Sequence, residues 1–126
     1  MIDQKTALVT GASRGIGRAI ALHLAAAGLR VALHYNANLP AAEETRRQMP
    51  GAGHLLLSAD LADPDAAEQL AADAQAAHGG RVDVLVHNAG LYEATPLLDD
   101  NDFAAWRAAM HRQMQVNFWA GADLAY

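Results

Sequence analysis

The sequence contains no cysteine, which excludes a disulfide framework and thiol chemistry. No apolar run approaches the length of a membrane span. Met1-Ile2-Asp3-Gln4-Lys5 lacks the charged-then-apolar order of a secretory signal, so a soluble cytoplasmic protein is expected. Excess positive charge is missing too. The net charge of −5 argues against a general nucleic-acid or anionic-membrane surface. Six scattered histidines show no metal-ligand spacing, and no metal site is expected. There are no internal repeats and no low-complexity linker. What is present is a chain of 126 residues, 52% hydrophobic, expected to form one domain at most. A domain of that size buries roughly two-thirds of its unfolded surface, enough for a core.

The most informative stretch is Thr10-Gly11-Ala12-Ser13-Arg14-Gly15-Ile16-Gly17. It separates the apolar run Ala7-Leu8-Val9 from an amphipathic helix pattern, Ile16, Ile20, Leu24 and Ala27. Strand, glycine turn and helix in that order build an anion site. The helix start leaves backbone N–H groups unpartnered and carries roughly half a positive charge. Glycines let a diphosphate approach without meeting a Cβ. The spacing is Gly-x-x-x-Gly-x-Gly, which fits the commonest dinucleotide fingerprint only loosely. Taken alone, it also fits a glycine-rich turn with no ligand.

The remaining elements follow in alternation. Lys5 to Thr10 is expected as a buried strand, followed by a helix from Gly15 to near Gly28. Arg30 to Tyr35 is a second strand. Pro40 then starts a helix whose Glu43, Glu44, Arg46 and Arg47 read as a solvated face, and Pro50-Gly51 stops it. His54 to Ala59 gives a third strand. Asp63-Pro64 is expected as N-cap and first residue of an alanine-rich helix reaching His78. Val82 to Val86 is a fourth strand, running into His87-Asn88-Ala89-Gly90. Thr95-Pro96 falls in a loop, and Asp99-Asp100-Asn101-Asp102 is expected to cap a helix rather than to do acid–base work. Phe103, Trp106, Met110 and Met114 recur at helical spacing, the pattern of core or of a partner-helix seam. Asn117 sits inside that helix pattern, where its side chain competes with backbone bonding.

Four strands alternating with helices imply an α/β fold: a Rossmann-like, doubly wound parallel sheet in three layers. Ligands of such sheets bind beyond the carboxyl ends of the strands. Gly11, Tyr35-Asn36, Asp60 and Asn88 all fall on those ends, which favours the ligand-binding reading of the glycine turn.

With these residues in place, the chain resembles the N-terminal half of a short-chain dehydrogenase/reductase. Thr10 to Gly17 matches that family's cofactor motif, so Gly11, Ser13, Arg14, Gly15, Ile16 and Gly17 are implied to bind the cofactor. Asp60-Leu61 matches the pair that holds adenine in the family. Asn88-Ala89-Gly90 matches the family's Asn-Asn-Ala-Gly motif, with His87 in first place. Asn117 corresponds to the helix asparagine whose backbone positions a water in the proton relay, an implied catalytic role. The resemblance covers essentially residues 1–126 and implies an NAD(P)-dependent oxidoreductase acting on a small carbonyl or alcohol substrate. It also implies homo-oligomers formed through the Phe103–Met114 region.

In the family, a tyrosine donates the proton and a lysine four residues on lowers its pKa. No tyrosine of this sequence has a lysine four residues later, and the only lysine is Lys5. The family's sheet also continues past the fourth strand, so Val82–Val86 is expected as an uncovered apolar edge, in a segment of a longer enzyme or in a truncated homologue that needs a partner. The alternative is a non-catalytic NADP(H)-binding or regulatory module. An NAD site usually carries an acid about twenty residues past the glycines. Here Tyr35, Asn36, Ala37 and Asn38 occupy those positions without a carboxylate. Arg14 can pair with a 2′-phosphate, so NADP(H) is favoured over NAD(H). Leu33-His34-Tyr35-Asn36 is similar to pteridine reductases and the glycine motif to 3-oxoacyl-carrier-protein reductases. Neither similarity fixes a substrate.

Overall fold

A computed structural model describes residues 3–94 and 102–126. Strands β1 (Thr6–Val9), β2 (Arg30–Tyr35), β3 (Leu55–Ser58) and β4 (Val84–Val86) form a parallel sheet in the order β3-β2-β1-β4. The chain steps outward from β1 to β3, then returns to the other side of β1 with β4. That reversal opens a crevice at the carboxyl ends of β1 and β4, the topological switch point of doubly wound sheets.

Strand alternation divides the core between the two faces. Ala7, Val9, Val31 and Leu33 pack with Ala21 and Ala25 of α1 (Gly15–Ala26) and with Met49, which ends α2 (Leu39–Gln48). Leu8 and Ala32 pack on the opposite face with Leu61, with Ala67, Leu70 and Ala74 of α3 (Ala66–Ala77), and with Ala120. Leu33 and Leu70 are fully buried, each contributing about 2 kcal/mol of transfer free energy. β1, between two neighbours, is buried throughout, whereas β4 stands at the end of the described sheet and is only half-buried.

Local chemistry sets the helix ends. Asn38 caps α2 by accepting from the Ala41 N–H at 3.1 Å, with Pro40 in the first turn. α1 closes in a Schellman arrangement: Gly28 N–H donates to Ala25 O and Leu29 N–H to Leu24 O, at 2.9 and 3.1 Å. The expected start of α3 is corrected. Asp63 Oδ1 accepts from the Asp65 N–H at 3.0 Å, and the Ala66 N–H bonds to Asp63 O at 3.1 Å. Asp63-Pro64 is thus a turn with proline at its second position, and the helix begins at Ala66.

The expected apolar face of α1 holds at Ile20 and Leu24, which pack against the core, and is corrected at Ile16 and Ala27, which are exposed. Gly17, Ala21 and Ala25 are the buried positions, and Ile16 is 73% exposed. Small residues let α1 lie close to the sheet, which turns the larger Ile16 toward the strand ends. α4 (Phe103–Met114) is capped by Asp102, whose side chain accepts from the Ala104 N–H at 2.9 Å. Thr95-Pro96 and Asp99 to Asn101 lie outside the described residues. A π turn, Gln115–Trp119, joins α4 to α5 (Ala120–Ala125). Phe103 and Met114 are exposed and only Ala109 of α4 is buried, so the aromatic and methionine stripe is not core of this chain. Among the described residues, no helix is long and apolar enough to cross a membrane.

Candidate functional site

A cleft of about 650 Å³ lies at the switch point. Gly11, Ser13, Arg14, Gly15 and Ile16 form one wall, and Asn88, Ala89 and Gly90 the other. Tyr35, Asn36, Asp60 and Leu61 close the far end. Two of the residues singled out from the sequence stand just behind it. Gly17 lies under the turn: a Cβ there would meet Gly11 O at 2.0 Å and the Asn88 side chain at 2.6 Å. Asn117 reaches across to Leu91 rather than into the cleft, accepting from its N–H at 2.6 Å and donating to its carbonyl at 2.9 Å.

The glycine wall suits an anion. Arg14, the N-cap of α1, makes no side-chain capping bond, and the first turn carries no acid. The first-turn N–H groups therefore lack a side-chain acceptor, and an anion arriving there meets no like charge from an acid. Gly15 has φ +57°, and a Cβ there would meet nothing within 4 Å, so the backbone opens on free space. Beneath this wall, buried Thr45 donates to Ala12 O at 3.0 Å, and Arg18 reaches Ser13 O at 2.7 Å and Thr45 Oγ1 at 2.9 Å. Across the cleft, Asp60 Oδ1 accepts from the Ala62 N–H at 3.0 Å, which fixes its carboxylate in a local turn.

Two histidines hold the walls. His34 is buried; its Nδ1 accepts from the Gly11 N–H at 3.1 Å, and its Nε2 donates to Ala59 O at 2.9 Å. Burial, with a smaller push from nearby His87, holds its pKa below the ordinary imidazole value although the Ala59 carbonyl opposes this. The neutral ring is the form that can accept from Gly11. On the other wall, Thr10 Oγ1 accepts from the N–H groups of both Asn88 and Ala89 at 3.0 Å, and lies 2.9 Å from His87 Nδ1. Asn88 Nδ2 donates to Gly11 O at 3.1 Å, joining the two walls.

Sequence reading missed these supports. Thr45 stands within a charged helix face and Arg18 and His34 carry no spacing signal of their own, while Thr10 opens the glycine motif, which gives no sign of its bonds to the opposite wall. The one local hint was His87, which stands where the resemblance expects asparagine. Among the described residues no group of three or more His, Asp or Glu is placed to hold a metal ion.

Residues 5–124 match the family model described as short chain dehydrogenase. A short chain dehydrogenase, asqE, of Emericella nidulans is 47% identical over 125 residues, spanning 94% of this chain and 45% of that protein. Among solved structures, a short chain dehydrogenase from Burkholderia cenocepacia in complex with NADP superposes with a TM-score of 0.82 at 36% identity, over 96% of this chain and 48% of the other. A blue fluorescent protein from a metagenomic library, in complex with NADPH, gives 0.78 at 36% identity, over 92% and 46%. The fold and cleft define a doubly wound α/β domain. The chain belongs to the short-chain dehydrogenase/reductase family, and it spans less than half the length of the curated relatives it matches.

Proposed function

We propose that this chain forms the NADP(H)-binding part of an oxidoreductase that interconverts a small carbonyl compound and its alcohol. The observation that carries the reading is the uncapped, acid-free start of α1 facing a cleft over open Gly15, with Arg14 on the rim. Backbone N–H groups from Ser13 to Gly17 take the diphosphate. Arg14 and Asn36 receive the 2′-phosphate, since Tyr35 to Asn38 offer no carboxylate to repel it. Asp60 and Leu61 hold the adenine, while Asn88, Ala89 and Gly90 border the remainder of the cofactor. When bound, NADP(H) supplies or accepts the hydride. The backbone of Asn117, in the π turn, belongs to the proton relay, and its side chain secures Leu91 beside the cleft. The relatives solved with NADP and NADPH support this choice of cofactor.

Titration of the chain with NADPH and NADH, followed by nucleotide fluorescence, tests the reading. Arg14→Ala should reduce the NADPH/NADH affinity ratio roughly tenfold, the worth of one charge-assisted contact. An unchanged ratio removes the preference for NADP(H), and no binding of either nucleotide removes the site. A second reading is of residues 1–126 by themselves: they hold no tyrosine followed four positions later by lysine and would bind nucleotide without turnover. Reduction of carbonyl compounds by the chain itself would dismiss it. The stripe through Phe103, Trp106, Met110 and Met114 is the proposed seam of a homo-oligomer. A Trp106→Ala variant of unchanged size in light scattering would rule it out.

A further inference from the structure

We propose that His87 is a positioning residue: it clips the cleft wall at residues 88–91 to the π turn, through a hydrogen-bond chain that exists only because Gly121 has no side chain. The inference rests on the proposed function in that this wall is read as facing the cofactor.

Counting hydrogen bonds assigns the ring. Thr10 Oγ1 already accepts from two N–H groups, those of Asn88 and Ala89, at 3.0 Å each. Both lone pairs of the hydroxyl are therefore used, and its proton goes to His87 Nδ1 at 2.9 Å. Nδ1 is then an acceptor, so the ring proton sits on Nε2 and donates to Val116 O at 3.0 Å. One side chain thus connects the end of β1, the start of the wall and a carbonyl of the π turn.

The opposite end of the wall is held by the next residue of that turn, because Asn117 bonds both the N–H and the carbonyl of Leu91. Val116 itself lines the cleft. Consecutive helix residues therefore grip residues 87 and 91, and the span between them, Asn88 to Gly90, is set in register with the helix. A local irregularity of this kind in a helix often marks a functional position.

The ring needs room to do this. A Cβ at Gly121 would lie 2.6 Å from His87 Cδ2 and 3.0 Å from Cγ. Any side chain there must push the ring off Val116 or push the helix off the wall. A shorter amide at position 87 reaches Thr10 but ends one atom short of Val116, since the amide of asparagine overlies the Nδ1 side of an imidazole. His87 and Gly121 are in this sense one device, split between the end of β4 and α5.

Two measurements on the 126-residue chain test it. Nitrogen-15 NMR of the histidine rings, without cofactor and at mildly alkaline pH, should show His87 with an unprotonated Nδ1 and a slowly exchanging Nε2 proton. A ring protonated on Nδ1 instead overturns the proposal. NADPH affinity is then measured for wild type, H87N, G121A and the double variant. Each single change should weaken binding about tenfold, and the double variant should be no more than about twofold weaker than either, because both break one link. Additive losses overturn the clip. Should G121A fail to fold, H87N alone decides, and unchanged NADPH affinity overturns the proposal. A wild-type chain that binds no NADPH counts against the proposed function, whereas the tautomer still decides the clip.

Discussion

The glycine wall of the cleft is held by close packing and hydrogen bonds together, whereas the wall opposite it depends chiefly on hydrogen bonds. The glycine wall rests on β1, buried along its whole length, and on α1, whose Gly17, Ala21 and Ala25 lie close to the sheet. Buried Thr45 ties its carbonyls down from α2. The opposite wall continues a three-residue strand that is only half-buried. Behind it runs a helix that leaves Phe103, Met114, Phe118 and Trp119 exposed. Its order comes from a few polar groups, Thr10, His87 and Asn117, acting across the ends of the strands. Close packing forgives no added volume but asks little of chemistry, whereas a hydrogen-bonded wall depends on donors and acceptors at particular atoms.

The sharpest way to break this contrast is Gly17→Ala. Its Cβ would strike backbone, Gly11 O at 2.0 Å, so neither partner can swing away. A loss of about 3 kcal/mol in urea unfolding is expected, with the glycine turn displaced. Gly15→Ala should cost only about 1 kcal/mol, for the positive φ alone, because nothing stands within 4 Å of the new methyl. Equal losses at the two positions would show that close packing does not hold the glycine wall.

On the other wall, Thr10→Val keeps the shape and removes the hydroxyl. The N–H groups of Asn88 and Ala89 and the Nδ1 of His87 all lose their partner. A stability loss of about 2 kcal/mol is expected, the cost of buried groups left unpaired. A valine variant as stable as wild type would mean that this wall is held by packing after all.

A smaller effect comes from pH. The folded pKa of His34 is depressed, chiefly by burial, and that of buried His78 is depressed for the same leading reason. A depressed histidine favours the neutral folded form, so its contribution is complete above the unfolded value of about 6.5. It is lost as pH falls from there through the lower folded value, since the unfolded state binds the proton first. Urea midpoints should therefore decline on the acid side of neutrality. His34→Asn retains an acceptor for Gly11 without the titration and should flatten part of that decline. An identical pH profile in the variant would remove His34 as its source.

The smallest effect should be Phe118→Ser. Phe118 is 55% exposed and touches Trp119 edge-on, with ring centroids 5.1 Å apart. Stability of the chain should change by no more than about 0.5 kcal/mol. A loss several times larger would mean that this helix face is packed against something in solution, and the contrast between the walls would narrow.

Much of the architecture was legible because its signals are local. Apolar runs closed by glycine or Asp-Pro mark three of the strands, β2 runs instead into Asn36-Ala37-Asn38, and helix ends announce themselves at Pro40, Gly28 and Asp102. Where two local rules competed, the reading failed. Asp63-Pro64 suits a helix start and a turn equally; the bond from Ala66 N–H to Asp63 O closes a turn there, and the helix begins at Ala66. The α1 stripe misled at its first residue, because Ile16 was assumed to point inward as Ile20 and Leu24 do. The fully buried positions of α1, Gly17, Ala21 and Ala25, are small, and Ile16 lines the cleft instead.

The sequence by itself determined the order of elements, the glycine turn and the family, because each is written in neighbouring residues or at fixed short spacing. The tertiary structure decided which polar groups hold the cleft. Thr10 and His87 are 77 positions apart, Gly11 and His34 are 23 apart, and Thr45 reaches Ala12 from 33 residues away. A hydrogen bond acts over about 3 Å, so its partners exist only once the sheet has brought distant segments together, and no periodicity in the chain records them.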